Sequence, residues 1–164
     1  MALYFVKEQT LDICLAAIQY DGRTLGYVRE QTPALCLLAV QQDGRALAWV
    51  HHQTPEICLA AVKQHAFALE YVEQQTPEIC FAAIEKHPLA LMFVKEQTPG
   101  LCLAAVRRSG QALQCVKQQT REICHVAVEQ DRLALPYIRD PAHVPPPTLA
   151  RPASEPDPVF TPHS

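Results

Sequence analysis

Apolar and polar positions along this chain repeat with a period of 22 residues. Leucines stand at Leu3, Leu25, Leu47, Leu69, Leu91, Leu113 and Leu135. Three residues after each come Val6, Val28, Val50, Val72, Val94 and Val116, with Ile138 last. Cysteines follow the same interval at Cys14, Cys36, Cys58, Cys80, Cys102 and Cys124, and alanines at Ala17, Ala39, Ala61, Ala83, Ala105 and Ala127. A polar pair keeps step with them, from Gln9-Thr10 to Gln119-Thr120. No insertion breaks the register. Self-similarity at this period marks stacked supersecondary units, each unable to bury its apolar face alone.

One unit shows how the period is built. In Thr54-Pro55-Glu56-Ile57-Cys58, Pro55 pushes Thr54 out of the α region, where its hydroxyl can cap a helix. Pro55 takes the first helical position and Glu56 favours the positive end of the dipole. The pattern predicts a helix over 57–64, with Ile57, Cys58, Ala61 and Val62 on a wide buried stripe. Asp43-Gly44 breaks the neighbouring unit, and a second helix is predicted over 45–52 with Ala46, Leu47 and Val50 inward. Each unit is therefore expected to hold two helices of roughly 8–10 residues joined by short turns. Helices this short persist only by stacking. The expected fold is an all-α α-solenoid of about thirteen short helices over residues 1–140, about six and a half units, each layer about 8–10 Å thick. Pro136 is expected to distort the last half-unit.

Composition narrows the function classes. Net charge is −3, so no global basic field draws in nucleic acid. No run of 18 apolar residues offers a membrane span. The start MALYFVKEQT lacks the basic and apolar regions of a signal peptide, which points to the cytoplasm, with secretion as an effector left open. Residues 141–164 hold 8 prolines and read as an extended or disordered tail.

The candidate chemistry is sparse. Stacked helices about 8–10 Å apart hold their cysteines too far apart for disulfides, so each Cys is expected to fill a small buried slot. Cys115 lies off the register and could meet Cys102 or Cys124. No C-x-x-C or H-x-x-x-H pair suggests zinc. His65 and His87 share a column with Asp21, Asp43, Ser109 and Asp131 and read as cap or turn residues. His125 stands where other units have Leu or Phe81, and the histidines are expected at edges or in solvent. Each Gln of the Gln-Thr ladder is expected to bond backbone groups of the next unit; a ladder of six could alternatively hold an extended peptide. No catalytic, cofactor-binding or metal-binding residue is assigned.

Comparing the units separates scaffold from surface. The column Tyr4, Gly26, Ala48, Glu70, Met92, Gln114, Pro136 has no common chemistry and is expected to face solvent. The columns from Gln19 to Arg23 vary too. The candidate partner contacts are Phe5, Ala48, Trp49, Glu70, Met92 and Gln114, with Arg107 and Arg108 as a small basic patch for an acidic partner. Phe5, with Leu3 and Val6, lies at an uncapped end that could support a homodimer. The tail could fold over Leu135 and Ile138 with Val144, Leu149, Val159 and Phe160.

Units such as QTPEICLAAVKQ followed by ALEYVEQQ resemble a bacterial family of tandem 22-residue, Cys-containing helical repeats, a domain of unknown function. The resemblance covers residues 3–138. It implies a bacterial α-solenoid and brings no catalytic residues. The expected function is a non-enzymatic protein–protein interaction scaffold: a regulator, effector or inhibitor acting by binding another protein. The alternative is a lipid-surface protein, because 22-residue amphipathic units also lie on lipid. Charged residues make up only 19%, few for strongly charged polar faces.

Overall fold

A computed structural model describes residues 8–146 of the 164-residue chain. Six α-helices alternate with six shorter 3₁₀-helices: α1 (Leu11–Tyr20), α2 (Pro33–Gln42), α3 (Pro55–Gln64), α4 (Pro77–Lys86), α5 (Pro99–Arg108) and α6 (Arg121–Gln130). The 3₁₀-helices are Gly22–Tyr27, Gly44–Trp49, Ala66–Tyr71, Pro88–Phe93, Gly110–Cys115 and Arg132–Tyr137, followed by a single turn at Pro141–His143. No strand occurs among the described residues. Each α-helix packs on the next α-helix and each 3₁₀-helix on the next 3₁₀-helix, while every α-helix also touches its own unit's 3₁₀-helix. The chain is an all-α solenoid of two rows.

The α-row starts as its capping chemistry requires. Thr32, Thr54, Thr76, Thr98 and Thr120 sit in extended backbone, and their hydroxyls accept from the N–H three residues on at 3.3–3.4 Å. Thr120 caps without a following proline. Thr10, followed by Leu11, makes no side-chain cap.

The second helix departs from expectation. It is a six-residue 3₁₀-helix rather than an α-helix of 8–10 residues. Asp43 is extended, and Val50 leaves the helix with its N–H on the Leu47 carbonyl at 3.1 Å. In a 3₁₀-helix side chains three apart align. Gly44, Leu47 and Val50 therefore form one buried row, and Arg45, Ala48 and His51 one exposed row.

Pro136 is also corrected. The helix Arg132–Tyr137 has the same length as the others, and Ile138 N–H still reaches the Leu135 carbonyl at 3.2 Å. Pro136 falls in the exposed row, so its ring points away from the core.

The core lies between the rows. Ala39, Ala61, Ala83, Ala105 and Ala127 are fully buried, as are Leu25, Leu47, Leu69, Leu91 and Leu113. The alanine column lets the rows approach closely. A Cβ at Gly44 would collide with the Ala61 carbonyl, and one at Gly110 with the Ala127 carbonyl. Among the described residues none has positive φ, so these glycines supply room rather than a special backbone angle. At the last unit Leu135 is 38% exposed and Val144 is also exposed, so residues 141–146 do not cover Leu135. Leu149, Val159 and Phe160 lie outside the described residues.

Candidate functional site

The two edges of the solenoid have different chemistry. At one edge every Gln of the Gln-Thr ladder is spent on backbone. Gln97 Nε2 donates to the carbonyls of Leu91 and Cys115, both at 2.9 Å. Its Oε1 accepts from Lys117 N–H at 2.8 Å and from the Cys102 thiol at 3.8 Å. A glutamine side chain has two donors and two acceptor sites, and all four are used. One side chain thus joins the ends of two successive 3₁₀-helices and the first turn of α5. Gln31, Gln75 and Gln119 repeat the same four contacts. Gln53 reaches the Tyr71 carbonyl at 2.8 Å and receives Glu73 N–H at 3.0 Å and the Cys58 thiol at 3.4 Å. The expected backbone role holds, and at Gln31, Gln75, Gln97 and Gln119 no donor or acceptor site is left to grip a peptide.

The cysteines gain a second reason. Each fills a small buried slot, and from Cys36 to Cys124 the column's sulfurs face a glutamine Oε1 as weak donors. Burial pushes the thiols of Cys36, Cys58, Cys80, Cys102, Cys115 and Cys124 up. All seven thiols are free, and Cys115 Sγ faces the Leu89 carbonyl at 3.9 Å. A buried, raised thiol is a poor nucleophile. Among the described residues no group of three or more His, Cys, Asp or Glu gathers as for a metal.

Other variable positions are also structural. Gln42 Nε2 donates to the Gln19 carbonyl at 2.9 Å, and Gln64 Oε1 receives Gly44 N–H at 2.7 Å. Asp21 caps Arg23 N–H and pairs with its guanidinium at 3.0 Å; these hydrogen bonds hold the Asp21 carboxyl below its usual range. At Asp43 burial opposes the charge, yet the N–H and guanidinium of Arg45 outweigh it and the pKa falls. Part of the stretch from Gln19 to Arg23, read as recognition surface, therefore serves the fold.

The histidines divide. His87 Nδ1 accepts from Leu89 N–H at 3.3 Å, as a cap residue should. His65 makes no cap bond and lies against Phe67, 5.7 Å between rings. His125 departs from the solvated reading. It is half-buried in α6, with Nε2 shielded and lacking a hydrogen-bond partner. An imidazole in a leucine position brings a polar atom into an apolar contact.

Lys95 Nζ caps the carbonyls of Val72 and Glu73, and Lys117 Nζ those of Val94 and Lys95, at 2.8–3.0 Å. Arg107 and Arg108 remain exposed in the last turn of α5, where the dipole favours cations. Glu85 and Glu129 occupy the equivalent of Arg107 in the flanking helices.

The unspent surface lies on the 3₁₀-row. Gly26, Ala48, Glu70, Met92, Gln114 and Pro136 are exposed in every unit, as the lack of common chemistry predicted. Beside them runs an aromatic column: Tyr27 is 48%, Trp49 53% and Tyr71 37% exposed, with Phe93 and Tyr137 half-buried. Met92 is 56% exposed. Gly26 makes room for Trp49, since a Cβ there would stand 3.0 Å from the indole Cδ2. Tyr27, Gly26 and Trp49, with Asp21, Arg23 and Thr24, border an open groove of about 380 Å³. Comparison with protein families, curated proteins and solved structures finds no match to this chain. The structure thus gathers Ala48, Trp49, Glu70, Met92 and Gln114 on one stripe. Arg107 and Arg108 sit instead where an α-helix turns into its 3₁₀-helix, and Phe5 lies outside the described residues.

Proposed function

We propose that the array is a non-enzymatic scaffold that binds another protein through the exposed stripe of its 3₁₀-row. One observation carries this reading. The column Gly26, Ala48, Glu70, Met92, Gln114, Pro136 faces solvent in every unit and changes chemistry in every unit, while the backbone beneath it repeats. A solenoid that keeps its frame and varies its outward side chains presents an extended surface of distinct contacts. Trp49 and Met92 supply apolar anchors of the kind that dominate interfaces. Glu70 and Gln114 supply polar neighbours, and Arg107 with Arg108 a separate contact for an acidic segment. A cytoplasmic bacterial role as regulator, effector or inhibitor belongs to the same proposal.

The test is affinity capture from a bacterial lysate with mass spectrometry, run in parallel on the full chain and on a Trp49→Ala/Met92→Ala variant. The expected result is a protein retained by the full chain and lost by the variant at unchanged melting temperature. Equal capture by both would remove the stripe from the interface.

A further inference from the structure

The aromatic stripe and the proline-rich segment belong to one molecule, and the pitch of a polyproline II helix suits the spacing of stacked helices. Successive units of a helical array stand about 8–10 Å apart. A polyproline II helix advances about 3.1 Å per residue with three residues per turn, hence about 9.3 Å per turn. A proline-rich strand laid along the 3₁₀-row would set one turn against each unit, with every third side chain facing the same aromatic column. An α-helix, with a pitch of about 5.4 Å, does not keep this step. Exposed aromatic rings with proline-rich strands seated between them are a recurrent recognition mode, in which the preformed strand loses little entropy on docking.

The chain carries a segment of proline-rich composition. Residues 145–162 contain Pro145-Pro146-Pro147, Pro152, Pro156, Pro158 and Pro162. The described chain leaves the array from Pro141–His143, which packs on α6. This is the edge that carries the aromatic column, because Gln119, two residues before the start of α6 at Arg121, is bonded to the Tyr137 carbonyl at 2.8 Å. Trp49 lies four units back from Tyr137, about 32–40 Å at that spacing. Eighteen residues, 147–164, span about 56 Å as polyproline II, enough to reach it. The half-exposed rings of Tyr71 and Trp49 and the groove between Tyr27 and Trp49 lie along this path.

We propose that the chain's own proline-rich segment, residues 145–162, docks as a polyproline II strand along the Tyr27–Trp49–Tyr71 stripe and covers it until a partner displaces it. The inference concerns the stripe named under the proposed function and rests on that reading only for the displacing partner. Its test reads the isolated protein, so either can fail without the other.

Trp49 is the single tryptophan of the chain, so its fluorescence reports the stripe directly. Acrylamide quenching of the full chain is compared with that of a full-length Pro152→Gly/Pro156→Gly/Pro158→Gly variant. The expected result is a quenching constant about twofold higher in the variant, with far-UV circular dichroism and melting unchanged, because docked prolines shield the ring. A synthetic peptide of residues 145–162 should lower the quenching of the variant and leave the full chain unaffected. Equal quenching of the two proteins, or a peptide that leaves the variant unchanged, would overturn the proposal. Protection should survive hundredfold dilution; protection lost on dilution would mean a strand from another copy and would overturn docking within one chain.

Discussion

Gln97 and Met92 lie five residues apart and show the two kinds of position this array contains. Gln97 is one of six identical residues, half-buried, with both donors and both acceptor sites spent on neighbouring units. Met92 stands in a column of six different residues, all exposed, and its thioether has no donor with which to tie it to the scaffold. Repetition marks positions whose chemistry is consumed inside the solenoid. Variation marks positions whose chemistry remains available. The rule has exceptions that refine it: Gln42, Gln64, Lys95 and Lys117 occupy variable columns and still bond across units.

The largest effect is expected at the glutamine edge. Gln97→Leu leaves Lys117 N–H and the Cys115 carbonyl without partners, and the Leu91 carbonyl with Val94 N–H alone. At about 1–3 kcal/mol for an unsatisfied buried group, offset by solvent reaching a half-buried edge, the loss should be about 2–3 kcal/mol in urea unfolding. A loss below about 0.5 kcal/mol, within the range of a neutral surface change, would remove the clamp from the account.

Alkaline pH should come next. Burial raises six thiols above the ordinary cysteine range, so the folded state holds their protons more tightly than the unfolded state. Their contribution is fully present below the unfolded value of about 8.5 and is lost as pH rises through the folded values. Melting temperature should hold between about pH 7 and pH 8 and fall above that. A Cys58→Ala/Cys80→Ala variant should show a shallower fall, and an identical slope would contradict the linkage. At neutral pH, Cys58→Ala alone should cost about 1 kcal/mol, for a small buried group and a weak donor.

Much of this was legible in the sequence because the repeat aligns the units. The 22-residue register gave away the buried columns, the threonine caps and the spent glutamines, each tied to a fixed place in the unit. The second helix was misjudged in length and type. Leu47 and Val50 fit an α-helix stripe as well as a 3₁₀ row, and only Gly44, Leu47 and Val50 together show the period of three. Pro136 was misjudged for the same reason: in the exposed row of a short 3₁₀-helix its ring meets no preceding turn. His125 was expected at an edge or in solvent and is half-buried, since a single departure from an apolar column does not say whether the nitrogen finds a partner. Among the candidate contacts, the stripe from Ala48 to Gln114 was visible as a column, whereas Arg107 and Arg108 were grouped with it by charge alone.

The smallest effect is expected on the stripe, and it tests the central division most directly. A full-length variant carrying Ala48→Ser, Glu70→Gln, Met92→Gln and Gln114→Glu alters four exposed positions in four consecutive units. Its unfolding free energy in urea should lie within about 1 kcal/mol of the parent, because isolated surface changes each fall within about 0.5 kcal/mol and of either sign. A loss as large as that of Gln97→Leu alone would show that the stripe holds the array together, and the separation of frame from recognition surface would be wrong.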